Sequence, residues 1–147
     1  MLGGACLMPG VPLKLVKLDG AMRPQILGLA DSGCDYSNFP IDWAKDLGVD
    51  LSACAETQGN TAAGAAKKYL YPPGIDAIVF GRKIHLAAFF SPGLPLALLG
   101  REDFFRYFRA SFDQRSSSFQ LDAYEPFDPE PTPGDFSAAE PAAASQS

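Results

Sequence analysis

Apolar and polar residues alternate at several places in the first 122 positions, and only briefly follow a helical period. Val11-Pro12-Leu13-Lys14-Leu15 puts every second side chain on an apolar face, the two-residue repeat of a half-buried strand. Val16 and Leu18 continue in the opposite phase, which predicts a bulge or twist, and Gly20 marks a turn. Gln25 to Ala30 is a short, nearly continuous apolar run, as a buried strand shows. Segments 70–80, 83–90 and 95–99 are rich in Ile, Val, Leu, Phe and Tyr. Pro-Pro-Gly, Gly-Arg and Ser-Pro-Gly predict turns that separate them. Arg109 to Leu121 reads as a hairpin, with Ala110-Ser111-Phe112 and Ser118-Phe119-Gln120-Leu121 flanking a polar turn.

Two short helices are predicted among these strands. Pro40 to Leu47 spaces Ile41, Ala44 and Leu47 helically, with Gly48 as the stop. Arg101 to Phe108 places Phe104, Phe105 and Phe108 on one face, a stripe that reads as core. The pattern predicts an all-β domain over 11–122, preceded by a short extension at 1–10. Beyond Asp122 the chain holds Pro126, Pro129, Pro131, Pro133 and Pro141 among alanines, serines and acids. Such a segment buries too little apolar surface to offset chain entropy, so 123–147 is expected to be a disordered tail.

The net charge of −5 lies entirely in that tail, because the basic and acidic residues of 1–122 balance. Nucleic-acid binders neutralise phosphates with a basic excess, which is missing here, so no nucleic-acid partner is expected. Lys67 and Lys68 read as a solvated turn. The three cysteines, Cys6, Cys34 and Cys54, are odd in number and lack Cys-x-x-Cys spacing, which favours free thiols in a reducing compartment. The single histidine, His85, has no ligand cluster around it, so no metal site is expected. No signal-peptide pattern and no long apolar run is present, and a cytoplasmic protein without a membrane span is expected.

The chemically informative stretch is Leu29-Ala30-Asp31-Ser32-Gly33. A carboxylate at the end of an apolar strand is costly unless its surroundings satisfy it. Ser32 supplies a hydroxyl, and Gly33 lets the backbone turn tightly. Alone, Asp-Ser-Gly is also an ordinary turn sequence. The other acids compete poorly. Asp42, Asp46 and Asp50 around the first predicted helix read as solvated charges. Glu102 and Asp103 fall in the first turn of the second, where acids meet the positive end of the helix. His85 reads as a packing or surface residue. Cys34 reads as a small packing residue rather than a nucleophile, since no histidine stands near it in sequence to activate it.

Asp31-Ser32-Gly33 resembles the Asp-Thr/Ser-Gly signature of retropepsins, the single-domain aspartic proteases of retroviruses and their bacterial relatives. The second signature of that family, an apolar pair followed by Gly and Arg, is matched by Leu98-Leu99-Gly100-Arg101. The resemblance covers roughly 11–122 and implies a closed, barrel-like acid-protease fold with one or two short helices. It implies Asp31 as the catalytic acid, Ser32 and Gly33 as its loop, and a buried ion pair of Asp35 with Arg101, costly to break, that braces the loop beside Gly100. It also implies a mobile hairpin over the cleft, for which Gly59, Asn60, Thr61, Ala62, Ala63 and Gly64 are the candidate flap. That chemistry needs two carboxylates, and one chain supplies one motif. A homodimer acting on a peptide or protein substrate, without a cofactor, is therefore expected. Ser32 stands where Thr is commoner, Cys34 where Ala is common, and the tail runs past the final strand. The rival expectation is a peptide-binding or dimerisation module on the same fold.

Overall fold

The computed structural model describes residues 10–61, 64–125 and Phe136. Nine strands dominate it. They are β1 (Gly10–Leu15), β2 (Ile26–Ala30), β3 (Asn38–Pro40), β4 (Ala55–Thr61), β5 (Gly64–Val79), β6 (Arg82–Ser91), β7 (Ala97–Leu99), β8 (Phe108–Asp113) and β9 (Ser118–Ala123). One α-helix, α1 (Trp43–Leu47), and two 3-10 turns complete the described elements. The fold is all-β, as the period-two patterns predict.

The strand order is β1-β2-β7-β3-β6-β5-β4, and β1 also pairs with β5. That extra pairing closes six strands into a barrel and leaves β4 attached only to β5. Closure rests on Lys14 facing Ile78 and Leu15 facing Ala77. The alternation read in β1 is realised inside the barrel, where Val11, Leu13 and Leu15 are buried. Phe39, Leu47, Val79, Ile84, Leu86, Phe90, Leu99, Phe104 and Phe108 join them in one core. The β8–β9 hairpin forms a separate two-stranded sheet, largely exposed along both strands.

Several expectations need correction. Pro40 ends β3 rather than opening a helix, and α1 begins only at Trp43. The helix expected over 101–108 is a run of turns with a 3-10 segment at Phe104–Arg106, and Phe108 already starts β8. Its aromatic stripe nevertheless packs inward, with Phe104 and Phe108 buried. The first phase slip is the end of β1, after which Val16 makes an isolated bridge to Met22. Pro72-Pro73-Gly74 is not a turn between strands. It is a bulge inside β5, where the register to β6 shifts between Tyr71 and Ile75. Prolines have no N–H for the ladder, so the bulge sets them aside while β5 pairs with β6 on either side. Lys67 and Lys68 lie in β5 rather than in a turn. Lys67 pairs with Glu56, and Lys68 sits over the Phe89 ring.

Most of the tail expected over 123–147, and the extension over 1–9, fall outside the described residues. Within the tail, Tyr124 donates its N–H to Tyr107 O, and Phe136 lies against the barrel.

Candidate active site

Strand β2 runs parallel to β7, with Ala30 opposite Leu99, and delivers Asp31 to the end of the barrel. The Asp31 N–H donates to Leu99 O at 3.0 Å, so the strand pairing itself fixes where the acid emerges. Beyond it the chain turns back on its own carboxylate. Asp31 Oδ1 accepts from Gly33 N at 2.9 Å, and Asp31 O accepts from Cys34 N at 3.0 Å. Asp31 is half-buried, whereas Ser32 and Gly33 are exposed.

The second motif is stitched to this loop from below. Arg101 N donates to Cys34 O at 2.8 Å and Glu102 N to Asp35 O at 2.7 Å. Gly100 is dictated by contact. A Cβ there would stand 2.4 to 2.7 Å from the backbone of Tyr36, so only glycine lets the two segments meet. Arg101 Nη2 pairs with Asp35 Oδ1 at 2.7 Å, and Arg101 Nε with Glu102 Oε2 at 3.3 Å. Within the single chain the Asp35–Arg101 pair is at the surface, with side chains 67% and 56% exposed. Its contribution there is therefore no more than about 1 kcal/mol.

Asp103 is the residue the sequence reading misplaced. It is not an acid at the positive end of a helix but a buried one, 1% exposed. Its Oδ2 accepts from Ser37 N at 3.2 Å and from Ala87 N at 2.9 Å, while Oδ1 is buried and has no hydrogen-bond partner. Ser37 in turn accepts from Gly100 N through its hydroxyl at 3.1 Å. One buried carboxylate thus ties together the segment after the Asp31 loop, strand β6 and the Gly100 corner. Burial pushes its pKa up to about 6, against the opposing pull of hydrogen bonds from Ser37, Ala87 and Phe104. No local signal marks it, because its partners lie 66 and 16 residues away in sequence.

Cys34 is half-buried and donates its thiol to Tyr36 O at 2.9 Å. Burial, and then the charge of Asp31, raise its pKa, which opposes a thiolate nucleophile. His85 lies on β6, hydrogen-bonded through Nδ1 to Asp76 and through Nε2 to Pro73 O, both at 2.7 Å.

The candidate flap falls on the β4–β5 hairpin. Its ladder runs from Ala55–Leu70 to Thr61–Gly64, so Gly59, Asn60 and Thr61 stand on β4 and Gly64 on β5. Ala62 and Ala63, which join the two strands, lie outside the described residues. Among the described residues, no helix is long and apolar enough to cross a membrane.

No family model and no curated protein sequence matches the chain. Among solved structures, it is similar to a retropepsin-like aspartic protease from Rickettsia conorii. The TM-score is 0.54 at 18% identity, over 73% of this chain and 85% of that one. With six strands closed into a barrel, Asp31 at the end of β2 and a hairpin projecting from β5, the chain has the fold of the retropepsin-like aspartic proteases.

Proposed function

We propose that this protein is an aspartic endopeptidase, active as a homodimer in which Asp31 of each protomer meets at the two-fold axis. The observation that carries this reading is the stitched loop. A half-buried Asp31 is held by Gly33, Cys34 and Leu99 at the barrel's end, in a fold that aspartic proteases share. The turn around Asp50 makes similar bonds, and what sets Asp31 apart is its place at the end of β2, beside the Gly100–Arg101 corner.

In this reading one Asp31 carboxylate removes a proton from water while the other, protonated, donates to the scissile carbonyl oxygen. The hydroxide equivalent adds to the carbonyl carbon. The intermediate then collapses as the amide nitrogen takes a proton and the C–N bond breaks. Two carboxylates in contact cannot both ionise easily, so the pair retains one proton and acidic conditions favour it. Ser32 reaches to the opposing loop and holds the two acids in register, while the Asp35–Arg101 pair braces each loop beside Gly100. The β4–β5 hairpin, with Gly59 to Gly64 at its end, closes over an extended peptide. No metal or cofactor takes part. The free thiols of Cys34 and Cys54 fit a reducing compartment, and we place the protein in the cytoplasm.

The test is cleavage of an unstructured, apolar-rich protein at about pH 4 to 6, with pepstatin and with Asp31→Asn as controls. Sedimentation of the same samples reports the oligomer. Cleavage lost with Asp31→Asn and blocked by the inhibitor is expected. A folded dimer that cuts nothing would instead favour a peptide-binding module.

A further inference from the structure

On the flank of the barrel, the tail residue Phe136 occupies a slot whose walls are built by other parts of the chain. Its ring stacks on His85, with centroids 5.6 Å apart and planes 20° from parallel. It meets Tyr36 edge-on at 6.2 Å. Its backbone N–H donates to Pro72 O at 2.7 Å.

The bulge in β5 explains the slot. It turns the Pro72 carbonyl toward the tail and the Pro73 carbonyl toward His85 Nε2. With Asp76 on Nδ1, both ring nitrogens of His85 are engaged, which orients the ring with one face toward Phe136. Tyr36, the second wall, is backed by Phe89 at 6.1 Å. Gly74 has φ +75°, and a Cβ there would stand 2.7 Å from the Phe136 ring and 2.5 Å from Leu86 O. The absence of a side chain at Gly74 is what makes room for a ring. Flat walls of this kind favour an aromatic side chain, whose face and edge complement theirs.

Two contacts connect the slot to the candidate active site. Tyr36 ends the loop that begins at Asp31, and its backbone abuts Gly100. Phe136 also forms one wall of a small cavity shared with His85, Asp103, Arg106 and Tyr107, with room for about one water molecule. The cavity borders the buried carboxylate that anchors Ser37 and Ala87.

We propose that this slot is a recognition site for an aromatic side chain. Phe136 of the chain's own tail fills it, and its occupancy braces the Asp31 loop through Tyr36 and Asp103. The proposal does not depend on the protease reading, because its readouts involve no cleavage. The test uses full-length Phe136→Ala and a labelled synthetic peptide spanning Glu130 to Ala142. The variant binds the peptide, while the wild-type protein binds it at least about fivefold more weakly, because its own Phe136 competes. The peptide carrying Phe136→Ala does not bind. By hydrogen exchange, the Ser37 and Ala87 amides open about fivefold faster in the variant. Added peptide slows them again, and Phe136→Tyr exchanges like the wild type. Failure of the Phe136 peptide to bind the variant, or exchange unchanged by Phe136→Ala, would overturn the proposal.

Discussion

Asp103 offers the sharpest test of the energetics. Its pKa rises from an ordinary 3.8 to about 6 in the folded protein, so the folded state holds this proton more tightly than the unfolded chain. Linkage then fixes the sign: the associated stability is fully present below about pH 3.8, falls as pH rises through about 6, and is absent above. At about 1.4 kcal/mol for each tenfold change in proton affinity, the shift is worth on the order of 3 kcal/mol. Asp103→Asn removes the titration and retains a carbonyl oxygen able to accept from Ser37 and Ala87. Its amide stands where Oδ1 already lacks a partner, much as the protonated acid does. Denaturant unfolding of both proteins across this range, with the slopes checked for equality, isolates the residue. Other carboxylates cancel in the difference, including Asp50, whose pKa hydrogen bonds from Ser52 lower. Asparagine should gain on the wild type by on the order of 3 kcal/mol between about pH 4 and pH 7. Two stability curves that stay parallel across that window would refute the account of Asp103 as a buried, incompletely satisfied carboxylate.

Other substitutions test separate links. Gly100→Ala drives a methyl group into the Tyr36 backbone and should cost about 3 kcal/mol or more, read by thermal unfolding. Leu15→Ala leaves a cavity where β1 closes on β5 and should cost about 2 to 5 kcal/mol, read by denaturant midpoint. Arg101→Ala breaks an exposed pair and should lower stability by no more than about 1 kcal/mol at protein concentrations dilute enough to keep single chains. A loss that grows with protein concentration would place Arg101 under a partner chain.

Most of the strands and the candidate acid are legible because their signals are local, whereas β3 is not, since Pro40 reads as a helix start. The alternation in Val11 to Leu15 is written within a few residues, and each side chain's face follows from the strand period; the apolar run before Asp31 marks a strand but not a buried one, since Leu27 is 62% exposed. Gly100 and Arg101 were legible as a motif, although the reason for Gly100, the backbone of Tyr36 against its Cα, is a contact between distant segments.

Other features depended on the assembled barrel. Phe104, Phe105 and Phe108 carry a helical spacing. Pairing of Phe108 with Ala123 draws that residue into a hairpin, and the helix shrinks to a 3-10 turn. Pro72-Pro73-Gly74 has the composition of a turn, but β6 continues past it and pairs on both sides, so it becomes a bulge. Asp103 follows Glu102 in what reads as the first turn of a helix, and only the approach of Ser37 and Ala87 makes it a buried tie. The sequence by itself determined the strand periods and the acid at the end of β2, because those depend on neighbours along the chain. The tertiary structure alone decided which polar groups are buried and which aromatic residues meet, because burial is a property of segments brought together from far apart.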